Sequence, residues 1–187
     1  MSQESRLTNH FLIAMPGLVD PNFFHTVTYI CEHNPEGTMG LVINRPIGLK
    51  LADIFEQLEI TVTDTGTSEQ LVYNGGPVQG DRGFVLHDSS TEWDSTLKVT
   101  PEISVTTSLD ILQAMANGSG PENTLITLGY AGWGAGQLEE EMAQNAWLSG
   151  PAESDIIFKR ASQERWQAAA ALLGVDLNLL SSDAGHA

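Results

Sequence analysis

What most constrains the fold of this chain is its punctuation. Short apolar runs alternate with clusters of Pro, Gly, Asn and Asp, and few intervals between breaks are long enough for a helix of several turns. Residues 10–14 read as a strand halted by Pro16-Gly17, and a second strand is expected from Thr26 to Glu32. The turn signal Asn34-Pro35-Glu36-Gly37 joins it to a third, Met39 to Asn44, which is apolar on both faces and therefore central. Pro46 and Gly48 then break the chain. Leu51, Ile54, Phe55 and Leu58 fall on one stripe of an amphipathic helix.

Residues 61–70 read as a surface loop, 72–74 and 83–87 as strands, and 88–96 as a polar excursion holding Trp93. Short strands are expected at 97–99 and 103–107, then a helix over Leu109 to Asn117 capped by Ser108 and ended by Gly118. Thr124 to Tyr130 is a nearly continuous apolar strand. The glycine-rich segment 129–136 reads as a loop feeding a helix from Gln137 to about Ala146. Ile156 to Phe158 reads as a last strand, before a helix capped by Ser162 in which Trp166, Ala169, Ala170 and Leu173 repeat. Strands outnumber helices and tight turns separate many of them, which predicts α+β with mixed or antiparallel pairing. No repeat or linker divides residues 1–187, so one domain is expected.

Charge narrows the partners. The chain carries 24 acidic against 8 basic side chains, a net charge of −16. Only Lys159, Arg160 and Arg165 lie close together in sequence, whereas a duplex must be neutralised by clustered cations. Direct binding to nucleic acid or to an anionic membrane is therefore not expected. The single cysteine, Cys31, excludes an intrachain disulfide and suits a reducing compartment. The apolar run Phe11–Met15 is too short for a signal-peptide core, and no stretch approaches a bilayer span, so a cytoplasmic location is expected.

The motifs HFLIAMPGLVDPNF beginning at His10, GLVINRP (40–46), NGGPV (74–78), GFVLH (83–87) and LGYAGWGAGQLEEE (128–141) resemble, in order and over essentially the whole chain, those of the AlgH/YqgE family. The resemblance implies a bacterial cytosolic protein with a mixed, largely antiparallel sheet curled into a flattened barrel and flanked by about four helices. The family's molecular activity is unsettled; its name reflects a proposed role in regulating alginate production.

Candidate functional residues come from four places. Glycines 129–136, with Tyr130, Gly132, Trp133 and Gln137, could surround an anion at a helix start, but no Lys-Ser or Lys-Thr follows and the dinucleotide pattern fails at Gln137. The plainer reading is close packing around Trp133, in a loop suited to a pocket or partner surface. Asn44 and Arg45 follow a buried strand, and Arg45 could hold Glu141 or a ligand carboxylate. His87 could serve as a base, yet no Gly-x-Ser-x-Gly elbow accompanies it, and a hydrogen-bonded structural histidine is the plainer reading. Cys31 and His33, two apart on a strand, should share a face, where imidazolium could activate the thiol; a buried, inert cysteine is the plainer reading. The histidines show no metal-ligand spacing, so neither a metal nor a cofactor is expected. These features favour a non-catalytic regulatory or interaction protein acting through protein or small-ligand contacts. The alternative is an enzyme or small-molecule-binding protein, which needs Arg45, His87, Tyr130 and Glu141 to converge on one cleft.

Overall fold

The computed structural model describes residues 7–88 and 91–180. Ten strands form one sheet: β1 (His10–Ala14), β2 (Val27–Asn34), β3 (Gly37–Val42), β4 (Pro46–Lys50), β5 (Leu71–Asn74), β6 (Val78–Asp88), β7 (Thr96–Lys98), β8 (Ile103–Thr106), β9 (Thr124–Gly134) and β10 (Trp147–Pro151). The main path runs β10-β1-β2-β3-β9-β6-β8-β7, with β4 on β5 and β5 on β9; only the β5–β9 pairing is parallel. The described residues hold more α-helices than the four expected: α1 (Leu51–Gln57), α2 (Thr65–Ser68), α3 (Leu109–Ala116), α4 (Gln137–Ala143), α5 (Ser154–Phe158) and α6 (Arg165–Ala171), the last preceded by a 3-10 turn at Ser162–Glu164, with residues 177–180 helical as well.

The sheet curls into a half-barrel because its two faces bury different apolar sets. The concave face gathers Phe11, Tyr29, Leu41, Phe84, Leu86 and Leu125, and α5 and α6 close one end with Ile156, Ile157, Ala169 and Ala170. On the convex side, Leu138 of α4 packs with Leu12, Ile30, Trp133 and Trp147. Farther along that side, α1 and α3 cover Val72, Val85 and Ile126 through Leu51, Phe55, Ile111 and Met115. Alternation along each strand supplies both faces.

β9 is the hub, and glycine makes it possible. Residues 126–128 pair with β5 on one edge while 124–128 pair with β6 on the other. The link between β5 and β6 must therefore cross over β9, and it does so at Gly75-Gly76-Pro77. A Cβ on Gly76 (φ +151°) would lie 2.2 Å from the Tyr130 carbonyl carbon, and one on Gly129 (φ +80°) 2.5 Å from the Gly76 oxygen. Gly75 has the same problem, 2.3 Å from the Gly129 oxygen. Backbone bonds fasten the crossing: Gly75 N–H donates to Leu128, Val42 N–H to Gly75 and Asn74 N–H to Arg45. Beyond it, on the edge β5 has left, β9 continues antiparallel to β3 through residues 131–134.

Several sequence expectations change. Segment 129–134 is strand, not loop: glycine lowers its strand propensity, but the pairing with β3 and the crossing override that. Ile156–Phe158 lies in helix α5, since both isoleucines, adjacent in sequence, bury into the concave cluster as a helix end allows and strand alternation does not. β10 was not expected, because Ser149, Gly150 and Pro151 read as turn residues; an edge strand tolerates them. Pro46 and Gly48, expected to break the chain, lie in β4, which pairs only with β5. Residues 61–70 contain α2, and α4 stops at Ala143 rather than near Ala146. Of the polar excursion 88–96, residues 89 and 90 lie outside the described residues.

Gly76→Ala is expected to cost about 4 kcal/mol or more, or to prevent folding, because backbone atoms would have to move. Gly80→Ala, with nothing within 4 Å of the new Cβ, should change stability by less than about 0.5 kcal/mol. Urea unfolding of the two variants checks the contrast.

Candidate functional site

At the end of the half-barrel away from α5 and α6 the concave face stays open, leaving a groove of about 870 Å³. Its floor is apolar: Phe84 and Val105 belong to the interior cluster, and Met39 and Tyr130 pack against it. Leu97 of β7 forms an exposed rim, with Glu32 and Glu36 of the β2–β3 hairpin also on the lining. Arg82 enters from a bulge. Between Val78↔Tyr130 and Gly83↔Leu128, the four residues 79–82 oppose Gly129 alone, so the crossing over β9 forces them outward. The Arg82 guanidinium sits 5.4 Å from the Phe84 ring centre and donates to Gln79 Oε1 (3.3 Å) and Thr107 Oγ1 (3.5 Å). Both acceptors are neutral, so its charge is available to a ligand.

Of the residues singled out from the sequence, Tyr130, Gly132 and Trp133 border this groove. Tyr130 meets Phe84 edge-on (centroids 5.6 Å), whereas the Trp133 indole belongs to the convex cluster with Phe23 and Trp147. They share a strand, not a loop, and alternation sends them to opposite faces. Gln137 and Glu141 brace that convex cluster. Glu141 Oε1 accepts from both indole N–H groups, Trp133 at 3.1 Å and Trp147 at 3.0 Å, while its Oε2 accepts from Gln137 at 3.0 Å. Gln137 Oε1 in turn accepts from Gly134 N–H.

Asn44 and Arg45 clamp the 20–25 turn instead of meeting Glu141. Asn44 accepts from Val27 N–H and donates to the His25 carbonyl. Arg45 donates to the carbonyls of Pro21 (2.6 Å) and Phe24 (2.7 Å), and the His25 ring they fix is stacked between Phe24 and Trp166. His87 is buried outright. The Asp88 carbonyl can only accept, so Nδ1 carries the proton and Nε2 accepts from Thr106 Oγ1 at 2.7 Å. Burial lowers its pKa, partly opposed by Asp88. Arg45, His87, Tyr130 and Glu141 thus occupy four separate settings rather than one cleft.

A bulge at Ile30/Glu32 undoes the expected pairing of Cys31 with His33. Cys31 turns into the concave cluster, where burial raises its thiol pKa, while His33 reaches Glu139 (Nε2···Oε2 2.9 Å) and accepts from Leu7 N–H. The basic trio separates as well: Lys159 and Arg160 are exposed, and Arg165 is buried. Among the described residues no three His, Cys, Asp or Glu side chains are placed to hold a metal ion. No helix among them is long and apolar enough to cross a membrane.

With this geometry in hand, comparison with known proteins is direct. The model of a family described as AlgH-like matches residues 11–178. The chain belongs to the AlgH-like family. A UPF0301 protein from Thioalkalivibrio sulfidiphilus is 59% identical over 187 residues, covering 100% of both chains. Another from Chromobacterium violaceum is 55% identical over 181 residues and 97% of each. The solution structure of AlgH from Pseudomonas aeruginosa matches with a TM-score of 0.80 at 56% identity, over 97% of this chain and 96% of that one. A Corynebacterium diphtheriae crystal structure shares the fold, with a TM-score of 0.74 at 19% identity and coverage of 94% and 91%.

In AlgH-like terms, GLVINRP, NGGPV and LGYAGWGAG, three of the motifs that carried the resemblance, meet at the crossing over β9. Glu141→Ala leaves two buried indole N–H groups without their acceptor and is expected to cost about 2–4 kcal/mol; chemical denaturation followed by tryptophan fluorescence measures it. His87 is held neutral in the fold but takes up a proton near pH 6.5 once unfolded, so its contribution is complete above that pH and is lost as pH falls. His87→Gln is therefore expected to flatten stability between pH 7.5 and about 5.5. The slope should not vanish, because burial lowers the His25 pKa too. Urea titrations at stepped pH give both slopes.

Proposed function

We propose that this AlgH-like chain is a non-catalytic interaction protein of the bacterial cytosol that receives an extended segment of a partner protein in its concave groove. The observation that carries the reading is the groove's composition: an apolar floor of Phe84, Val105, Met39 and Tyr130 beside Arg82, a cation paired only with neutral groups. Such a site favours a segment presenting a carboxylate to Arg82 and an apolar side chain to Phe84 and Val105. Glu32 and Glu36 across the groove favour a basic residue farther along it. The exposed edge of β7 would let the segment add backbone hydrogen bonds. A regulatory role fits this mode, since the occupant is held and released without chemistry. The net charge of −16 argues against a nucleic-acid partner.

Selection from a displayed library of random peptides tests the reading. Enriched peptides are expected to pair an acidic with an apolar residue, and to lose at least tenfold in affinity to Arg82→Glu and to Leu97→Asp, both at exposed positions and both expected to unfold in urea as the parent does. Peptides that bind both variants as well as the parent, or no enrichment at all, would contradict it. A low-salt gel shift with duplex DNA is expected to show no complex.

A further inference from the structure

A second site lies near the helical end, and it rests on a charge without a counter-ion. Arg165 opens α6 yet is only 5% exposed. Its Nε donates to the Arg160 carbonyl at 2.9 Å and its Nη1 to the Ile43 carbonyl, and the guanidinium stands 5.1 Å from the Tyr73 ring centre. Every one of these partners is neutral. Among the described residues no carboxylate comes within ion-pair distance of it, in a chain with three acids for every base. A guanidinium keeps its charge even where burial lowers its pKa, and a buried charge is costly unless paired. Of its five N–H donors, two are used by carbonyls, and the Tyr73 hydroxyl is a further neutral acceptor beside it.

Arg165 lines a cavity of about 310 Å³, which is roughly ten times the volume one water takes up in the liquid. Gln70, Tyr73, Glu122, Asn123 and Thr124 make its wall mostly polar, and Leu71 and Phe158 supply the apolar surface that a ligand can reach. The Tyr73 phenol hydrogen-bonds Ser162 Oγ at 2.7 Å, fixing the ring beside the guanidinium.

We propose that this cavity binds a small monocarboxylate, whose carboxylate supplies the missing counter-ion to Arg165 and whose short carbon chain lies against Leu71 and Phe158. The guanidinium fork matches a planar carboxylate through two parallel N–H bonds. Each further negative charge on the ligand meets the field of a chain at −16 and of Glu122 at the cavity wall, so a monoanion is favoured over a phosphate dianion. The two polar residues best placed to tune affinity without touching the charge are Gln70 and Thr124, already joined at 3.1 Å. This site is independent of the groove and stands whether or not the groove holds a partner.

The test titrates the full chain with sodium butyrate, inorganic phosphate and sodium chloride at matched ionic strength. Thermal unfolding and the side-chain 1H–15N signals of arginine are followed together. Butyrate is expected to raise Tm saturably and to shift the Arg165 Nε–H signal, with phosphate and chloride doing neither. Arg165→Gln should abolish the response. Should that variant not fold, Gln70→Leu decides instead and is expected to weaken butyrate at least fivefold with the guanidinium in place. The proposal is overturned by the absence of saturable butyrate binding, by phosphate binding more tightly than butyrate, or by a butyrate response that persists in Arg165→Gln or is unchanged in Gln70→Leu.

Discussion

Three glycines at one crossing hold this architecture together. β5 and β6 both flank residues 126–128 of β9, and a three-residue link carries the chain from one edge to the other. Side chains at Gly75, Gly76 or Gly129 would occupy space already filled by backbone, so the passage depends on glycine's missing Cβ as much as on its torsional freedom. The crossing also frees the far half of β9 for β3, which joins the β10-β1-β2-β3 half of the sheet to the β6-β8-β7 half. Without it there would be two small sheets, each short of a core.

The same constraint reaches the groove. Crossing over β9 leaves residues 79–82 unpaired opposite Gly129, and the outward bulge sets Arg82 above Phe84. Three of the other cations are already engaged, while Lys98, Lys159 and Arg160 stay exposed. Arg165 is buried, Arg45 clamps a turn, and Lys50 pairs with Glu69 at 2.9 Å. Arg82 and Arg165 differ from the other described cations in lining the groove and the smaller cavity with only neutral hydrogen-bond partners.

Much of the sheet was legible because several β-branched and aromatic runs end at Pro or Gly. The strands at 10–14 and 103–106 and the stripe of α1 emerge almost as read. The candidate site was less legible. Glycine has two meanings, turn and close approach, and local sequence does not separate them; Gly129–Gly134 therefore read as a loop packed closely around Trp133 when it is a strand against other strands. Asn44, Arg45 and Glu141 carry the right chemistry for a ligand but spend it on carbonyls and indoles brought from distant segments. The bulge that parts Cys31 from His33 leaves no trace in the alternation. Arg82 and Arg165 went unremarked as site residues because what sets them apart, the absence of an acidic neighbour, is a property of the folded chain.

If the crossing is the keystone, its amides should open only when the whole molecule does. Native-state hydrogen exchange of Val42, Asn74 and Gly75, whose N–H groups make the three bonds that tie it together, measures this directly. The account requires protection free energies equal to that of global unfolding and the same dependence on urea. Faster exchange at these amides than at Leu86 or Ile126, with little urea dependence, would mean the crossing opens by itself and that the sheet is held by something else.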